Sequence, residues 1–186
     1  MKLYIKNMVC NRCKMAVNAT IADAGYHINS LELGEADIKE DLNKQQIDEL
    51  NIKLRHLGFD IIDDRKSRVV EKIKNIIIQL VHHSEDHLSV NLSSLLVDQL
   101  HYDYNYLSNL FSEVEGSTVE KYFINQKIEK VKELLTYDEL TLSEIAYKMG
   151  YSSSAYLSSQ FKKVTGLTPG HFKKIKEQKR LNIEDL

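Results

Sequence analysis

The sequence predicts an α+β domain over residues 1–64 and an all-α domain over residues 65–186. In the first part, stretches that alternate apolar and polar residues are separated by two stretches with helical spacing of apolar residues. In the second part, Leu92–Gly116 recurs without a gap as Leu142–Gly166, a shift of 50 positions. Each copy has the pattern of two helices joined by a tight turn, so a duplicated helix-turn-helix unit is predicted.

Six short elements are predicted in the N-terminal part. One helix is predicted from Met15 to Gly25 and a second one ends at Gly58, because Gly readily adopts the left-handed conformation that ends a helix. With four strands, the order becomes strand-helix-strand-strand-helix-strand, which is that of the ferredoxin-like (βαββαβ) fold. The predicted strands are Lys2–Asn7, Tyr26–Leu33, Glu35–Lys39 and Phe59–Ile62.

A cysteine motif, Met8–Cys13 (MVCNRC), follows the first predicted strand. Together with the order of elements, this M-x-C-x-x-C motif resembles the heavy-metal-associated (HMA) domain of copper chaperones and metal-transporting ATPases, over nearly all of residues 1–64. The resemblance implies that Cys10 and Cys13 are metal ligands and that Met8 packs beneath their loop. Asn7 occupies the position where the family usually has Gly.

The chemistry of two closely spaced thiols agrees with that implication. Two thiolates three residues apart can turn toward one ion, and soft sulfur ligands select Cu(I) or another thiophilic metal. The helix that follows is expected to lower the pKa of the thiols. Cu(I) is the expected ion, and Zn(II) or another heavy metal is an alternative whose tetrahedral site needs ligands beyond Cys10 and Cys13. His56 is a candidate ligand or a surface residue. A redox-active cysteine pair and a structural remnant also remain open.

A third amphipathic helix is predicted between the two parts. Ser67 is its predicted N-cap, and the helix runs from Arg68 to about His83 after a short charged linker at residues 63–66. His83 and His87 have a spacing at which two imidazoles can bind one metal ion. Histidines near a helix C-terminus more often stay solvated or interact with the helix dipole, and this is the preferred interpretation.

The repeat predicts helix-turn-helix modules at about residues 91–116 and 141–166, joined by a helix at about residues 119–136. In the second module, Thr141 and Glu144 form a capping box at the start of the first helix. Over about residues 70–176, this arrangement resembles the AraC/XylS family of bacterial transcription regulators. The segments that carry the resemblance are Ser143–Ala146, Met149–Ser152, Tyr156–Leu157, Phe161–Gly166 and Leu167–Pro169.

The resemblance implies two recognition helices that enter successive major grooves about 34 Å apart. The apolar positions of the second helix are Tyr156, Leu157, Phe161 and Val164. The residues expected to pack inward are Leu107, Leu110 and Phe111 in the first helix and Leu157 and Phe161 in the second. The opposite faces are predicted to meet base edges, because Asn pairs well with adenine and Ser bonds to any base. The predicted base-facing residues are Tyr104, Asn105, Ser108 and Asn109 in the first helix and Ser154, Ala155, Ser158 and Ser159 in the second.

The charges of the sequence are unevenly distributed. A net charge of −2 gives no overall attraction to nucleic acid, but basic residues cluster toward the C-terminal end. Phosphate contacts are assigned to Lys162, Lys163, Lys173 and Lys174, and the cluster continues with Lys176, Lys179 and Arg180.

The first module has the opposite character. It contains no Lys or Arg between Leu92 and Glu120, while several of its residues are acidic. Such a module is expected either to dock weakly on DNA or to serve as an interaction surface, because cations dominate DNA affinity. Lys121 and Lys127 of the joining helix are candidates to compensate. His101 is expected to take a left-handed conformation or to strain the turn.

These features predict a sequence-specific, AraC-type DNA-binding transcription regulator that responds to a thiophilic metal ion at Cys10 and Cys13. Two alternatives stay open: a regulator whose HMA-like domain serves dimerisation or redox sensing, and a metallochaperone whose helical half docks a protein partner. Double-stranded DNA is the expected partner, and the transcription machinery and a second copy of the chain are further candidates.

Other classes of protein lack support in the sequence. It has no apolar run of membrane-spanning length and no signal peptide, so a cytoplasmic protein without membrane association is expected. An enzyme is not expected either, since no nucleophile–base pair, phosphate-binding glycine loop or pair of catalytic carboxylates stands out.

Overall fold

The computed structural model describes residues 1–62, 65–84, 88 and 91–178, with side chains described as far as residue 175. The chain is divided into two compact units. The first unit consists of Met1–Ile76 and Leu96–Gly116, and the second consists of Ile77–Leu95 and Ser117–Leu186. The predicted domain boundary between residues 64 and 65 stays a prediction.

The first unit contains a four-stranded antiparallel sheet with the strand order β2-β3-β1-β4. Its core contains Leu3 and Ile5 of β1 together with apolar side chains of α1 and α2. The order of strands and helices is the predicted one, whereas the ferredoxin-like and HMA-like identity of the domain stays a prediction. The strands are β1 Lys2–Lys6, β2 Ile28–Glu32, β3 Glu35–Ile38 and β4 Asp60–Ile62, and the helices are α1 Asn11–Asp23 and α2 Lys44–His56.

The next helix, α3 at Arg65–Ile78, begins earlier than predicted and is followed by a π-helix at Gln79–His83. Ser67 therefore lies inside α3 and is not an N-cap, and Arg65 and Lys66 belong to the helix rather than to a linker. The first turn of α3 contains no apolar residue, so helical periodicity does not extend to it. Arg and Lys nevertheless favour the helix, because both are good helix formers. Residues 63 and 64 of the predicted linker lie outside the described residues.

The first helix-turn-helix module consists of α4 at Leu92–Leu100 and α5 at Tyr104–Glu115. Asp103 caps α5, because its carboxylate accepts hydrogen bonds from the first backbone N–H groups of the helix. His101 in the turn has φ 57°, which is the left-handed conformation considered for it. The predicted inward residues Leu107, Leu110 and Phe111 are buried.

The second unit contains the remaining helices of the described chain: α6 Val119–Tyr137, α7 Leu142–Lys148, α8 Ser154–Thr165 and α9 Pro169–Gln178. The predicted capping box of Thr141 and Glu144 is confirmed, with both reciprocal hydrogen bonds present. Gly150 follows α7 with φ 65°, and a Cβ atom at this position would lie 1.9 Å from the Leu88 carbonyl oxygen. The Leu88 backbone N–H donates to the Lys148 carbonyl oxygen at 3.1 Å.

Leu157 and Phe161 of α8 are buried, as predicted, whereas the other two apolar positions of that helix, Tyr156 and Val164, are 55% and 40% exposed. One prediction about a side chain of the second unit is wrong. Lys127 was expected to help bind DNA, but it is only 8% exposed. It occupies the same stripe of α6 as Ile128 and Val131, so it points into the unit.

Among the described residues, none of the helices combines the length and the apolar character that crossing a lipid bilayer requires.

Candidate DNA-binding surfaces and a thiol pair

Recognition helix α8 presents a small, polar face to solvent. Ser153 caps its N-terminus by accepting a hydrogen bond from the Tyr156 backbone N–H at 3.1 Å. Leu157 and Phe161 are fully buried and fix the rotation of the helix about its axis. The predicted base-facing residues are therefore on the outer side, where Ala155 and Ser159 are exposed and Ser154 and Ser158 are half-buried.

The cations assigned to DNA phosphates differ in their surroundings. Lys162 and Lys163 are exposed in the last turn of α8, and Lys174 is exposed on α9. Lys173 forms an ion pair with Asp138, so its charge is already partly compensated. The side chains of Lys176, Lys179 and Arg180 lie outside the described part of the structure. The exposed lysines lie in the last turn of α8 and on α9, positions that suit contact with a DNA backbone.

Recognition helix α5 has a comparable outer face but acidic surroundings. Asn105 and Asn109 are exposed one turn apart, while Tyr104 and Ser108 are half-buried. Glu113 continues the same edge of the helix one turn later and is exposed. The sequence contains no Lys or Arg within this module, and Lys127, one of the two candidates on the joining helix that could compensate, is buried.

The structure adds basic residues from α3 to the first module. Lys66 Nζ lies 2.6 Å from Glu113 Oε1, and Lys74 Nζ lies 3.4 Å from Glu115 Oε1. Arg65 Nη2 donates to the Tyr102 hydroxyl at 3.1 Å. For the contacts of Arg65 and Lys66, the sequence signal is the basic start of α3, which the sequence pattern predicts to be a linker.

The predicted metal ligands are adjacent in space. The sulfur atoms of Cys10 and Cys13 are 3.5 Å apart, and both side chains are partly exposed. Cys10 is the N-cap of α1, and the backbone N–H of Cys13 lowers the pKa of the Cys10 thiol below its usual range. Met8 is fully buried, as the resemblance to HMA domains implies. These two sulfurs fit one thiophilic ion, since their separation is less than twice a metal–sulfur distance of about 2.3 Å.

The residue that departs from the HMA pattern has a structural role of its own. Asn7 has φ 68°, a left-handed conformation that Asn tolerates better than most residues. Its side-chain amide donates to the Gly58 carbonyl oxygen at 2.8 Å. Asn7 therefore replaces the conformational freedom of Gly and also ties the start of the cysteine loop to the turn between α2 and β4.

The candidate histidine ligands do not join the cysteines. Within the described residues, no group of three His, Cys, Asp or Glu side chains converges on a common point. His56 is exposed on α2, which matches the alternative of a surface residue. The His82 ring lies 3.0 Å from the Gln126 side-chain oxygen. His87 lies outside the described residues.

Comparisons with known proteins concern the helical half of the chain. A family model described as a helix-turn-helix domain matches residues 96–175. YtdP of Bacillus subtilis (strain 168), an uncharacterized HTH-type transcriptional regulator, is 30% identical over 125 residues, which are 65% of this chain and 15% of YtdP. This chain therefore spans a small part of that relative's length.

Two solved structures resemble the same half. The C-terminal domain of AraT, a response regulator from Geobacillus stearothermophilus, is 28% identical with a TM-score of 0.51, covering 60% of this chain and 88% of that one. A Chromobacterium violaceum transcriptional regulator, described as an AraC-type DNA-binding domain-containing protein, shares the fold at 17% identity and a TM-score of 0.50. That match covers 57% of this chain and 94% of the other.

Residues 96–175 of this chain contain a helix-turn-helix domain. The helical half has a fold like that of AraC-type DNA-binding domains, which agrees with the motif of the second module and with the duplicated pair of helices. The family match begins at residue 96, in α4. The identity of the N-terminal sheet as an HMA-like domain therefore still depends on its cysteine motif and its order of elements.

Proposed function

We propose that the chain is a sequence-specific, double-stranded DNA-binding transcription regulator whose DNA affinity changes when a thiophilic metal ion, with Cu(I) favoured, binds Cys10 and Cys13. The observation that carries the proposal is that the Cys10–Cys13 thiol pair and α5, the predicted recognition helix of the first module, belong to the same compact unit. The AraC-type domain supports DNA as the partner. The transcription machinery and a second copy of the chain are further proposed partners.

The DNA part of the proposal is supported by the outer faces of α5 and α8. The outer face of α8 carries small side chains and that of α5 carries two exposed amides, and α8 has exposed lysines in its last turn. Asn109 and Asn105 can pair with adenine, and Ala155 can contact the methyl group of thymine. Since neither face has an outward Arg, we expect modest specificity from each module and a preference for A·T pairs at α5.

The metal part of the proposal is supported by the donor set. Two thiols at 3.5 Å, one of them with a lowered pKa, provide soft ligands at little cost of deprotonation. When bound, the ion supplies a positive charge and a link between the loop and the first turn of α1. The residues that would hold it are Cys10 and Cys13, and buried Met8 supports their loop from below.

Contacts inside the first unit connect the thiol pair with α5. The Ile5 backbone N–H donates to the Gly34 carbonyl oxygen at 2.9 Å, so the turn between β2 and β3 lies beside the end of β1 that leads to the cysteine loop. Asn75 of α3 donates to the Leu33 carbonyl oxygen of that turn at 2.9 Å. The same helix contacts α5 through Lys66 and Glu113. Helix α3 thus touches both the sheet next to the thiols and the first recognition helix.

The test is a titration of DNA affinity with Cu(I). The probe is a short duplex recovered from a random-sequence pool by the wild-type protein, and free Cu(I) is set anaerobically with a chelator. A change in affinity that disappears in the Cys10→Ser/Cys13→Ser variant supports the proposal, provided that this variant still binds the duplex. The same titration with Zn(II) tests the choice of metal.

The other outcomes select the alternatives. DNA binding that is independent of metal would leave dimerisation or redox sensing as the role of the N-terminal domain. Tight Cu(I) binding without affinity for any duplex would instead indicate a metallochaperone whose helical half docks a protein partner. Either result would overturn metal-controlled DNA binding.

A further inference from the structure

The duplicated modules differ in charge at one matched position of their recognition helices. The shift of 50 residues aligns Glu113 of α5 with Lys163 of α8. Glu113 lies on the edge of α5 that includes Asn105 and Asn109, since residues four apart are neighbours on a helix. Lys163 is exposed at the equivalent place in α8. The second module therefore has a cation where the first has a carboxylate.

That edge of a recognition helix is close to the DNA backbone in a groove-bound complex. An α-helix with its side chains is about 10–12 Å wide, and the major groove is about 12 Å wide. When the centre of the outer face meets base edges, the two flanks face the phosphates on either side. A carboxylate on the flank, without a cation, would repel the backbone.

Helix α3 brings two cations to this flank within the first unit. Lys66 Nζ lies 2.6 Å from Glu113 Oε1, and both side chains are more than half exposed. Arg65 donates to the hydroxyl of Tyr102 at 3.1 Å, and the Tyr102 ring packs against the Tyr106 ring of α5 at a tilt of 35°, with the ring centroids 5.3 Å apart. Tyr106 lies on the same side of α5 as Glu113. Arg65 therefore lies near the N-terminal end of this flank, and Lys66 lies near its C-terminal end.

We propose that Arg65 and Lys66 form a phosphate-binding site for the DNA strand that runs along this flank of α5. The proposal rests on the proposed DNA-binding function and names the residues that give the acidic module its affinity. Two cations and the carboxylate of Glu113 leave one net positive charge, which is the charge that Lys163 alone supplies in the second module. Because exposed ion pairs are weak, Lys66 can exchange Glu113 for a phosphate oxygen at little cost.

The other basic residues of α3 have partners other than Glu113. Arg68 lies over the Tyr4 ring at 4.6 Å, and Lys72 Nζ is 4.0 Å from Glu35 Oε2. Lys74 contacts the buried carboxylate of Glu71 at 2.8 Å and lies 3.4 Å from Glu115 Oε1 in the last turn of α5. Arg65 and Lys66 therefore serve the flank of α5 that includes Glu113, and the other basic residues hold α3 within the first unit.

The experiment measures duplex affinity by fluorescence anisotropy over a series of KCl concentrations, with a duplex selected by the wild-type protein. In Arg65→Ala/Lys66→Ala, we expect the magnitude of the negative slope of log affinity against log salt to decrease by about one to two, and the affinity near physiological salt to fall about tenfold. Adding Glu113→Lys to this variant is expected to restore about one unit of that magnitude. Lys53→Ala, which removes an exposed cation of α2, is the matched control and is expected to change neither quantity.

The outcomes separate this inference from the proposed function. If the wild-type protein binds no duplex, both fall together. If the wild type binds and the double variant keeps the wild-type salt slope, whether or not it loses affinity, the phosphate site is overturned. The proposed DNA-binding function is unaffected by that result. Thermal unfolding of each variant checks its fold, and Arg65→Gln/Lys66→Gln replaces the alanine variant if that protein does not fold.

Discussion

The ammonium nitrogen of Lys127 lies 3.9 Å from the centre of the Tyr151 ring. Lys127 belongs to α6, and Tyr151 belongs to the turn between α7 and α8, so this contact fixes the joining helix against the second module. Both residues are buried, and the Phe123 ring lies 5.5 Å from the same nitrogen. Among the described residues, the Tyr151 hydroxyl has no hydrogen-bond partner. The principal polar interaction of Tyr151 is therefore the contact of its ring face with the Lys127 ammonium group.

Replacing Lys127 with Met is expected to reduce the dependence of stability on pH between about pH 8 and 10. Burial lowers the pKa of Lys127 to about 8, whereas lysine in an unfolded chain has a pKa of about 10.4. Between these values the unfolded chain binds more protons than the folded chain, so the free energy of unfolding rises with pH. This contribution disappears when Met replaces Lys.

Urea unfolding of the wild type and Lys127→Met on both sides of this range provides the measurement. From about pH 7.5 to 9.5, the wild-type free energy of unfolding should rise by about 2 kcal/mol more than that of the variant. Burial and the neighbouring Tyr156 raise the pKa of Tyr151 to about 12, so its opposite contribution begins only near pH 10. Lys121→Met, at an exposed position of α6, should behave like the wild type. Parallel pH profiles for wild type and Lys127→Met would contradict the prediction.

Gly150→Ala is expected to destabilise the second unit far more than Gly166→Ala. Both glycines have positive φ, so each substitution costs about 1–2 kcal/mol in backbone conformation. A Cβ atom at Gly150 would also lie 1.9 Å from the Leu88 carbonyl oxygen, whereas nothing lies within 4 Å of one at Gly166. The difference between the two urea midpoints therefore isolates the contact with Leu88. Equal midpoints would mean that Leu88 moves away without cost.

The sequence predicted the order of elements well, because alternation, helical periodicity and glycine at helix ends are local signals. It did not predict that Lys127 is buried. Lysines are usually exposed, and the sequence does not show that the Tyr151 ring faces this one. It also missed the start of α3, where Arg65 and Lys66 carry no apolar signal. Their contacts with Tyr102 and Glu113 join residues distant in sequence, and no local pattern records such contacts.

The thiol of Cys10 is expected to react at lower pH in the folded protein than in the unfolded protein. The backbone N–H of Cys13 stabilises the Cys10 thiolate and lowers its pKa. In Cys13→Ser this N–H remains and Cys10 becomes the single thiol of the chain. The rate of alkylation by iodoacetamide, measured against pH with and without urea, should have its midpoint at lower pH when the protein is folded. Identical midpoints would show that the folded loop does not stabilise the thiolate.

Asn109→Ala is expected to weaken binding to selected duplexes and to relax the preference for adenine at one position. Asn109 is exposed on the outer face of α5, where its amide can pair bidentately with adenine, a contact worth about 1–3 kcal/mol of discrimination. Affinities for a panel of duplexes, each changed at a single base pair, measure both effects. Asn18→Ala removes another exposed amide, from α1, and should bind the panel as the wild type does. Unchanged affinity and preference in Asn109→Ala would show that Asn109 does not read a base.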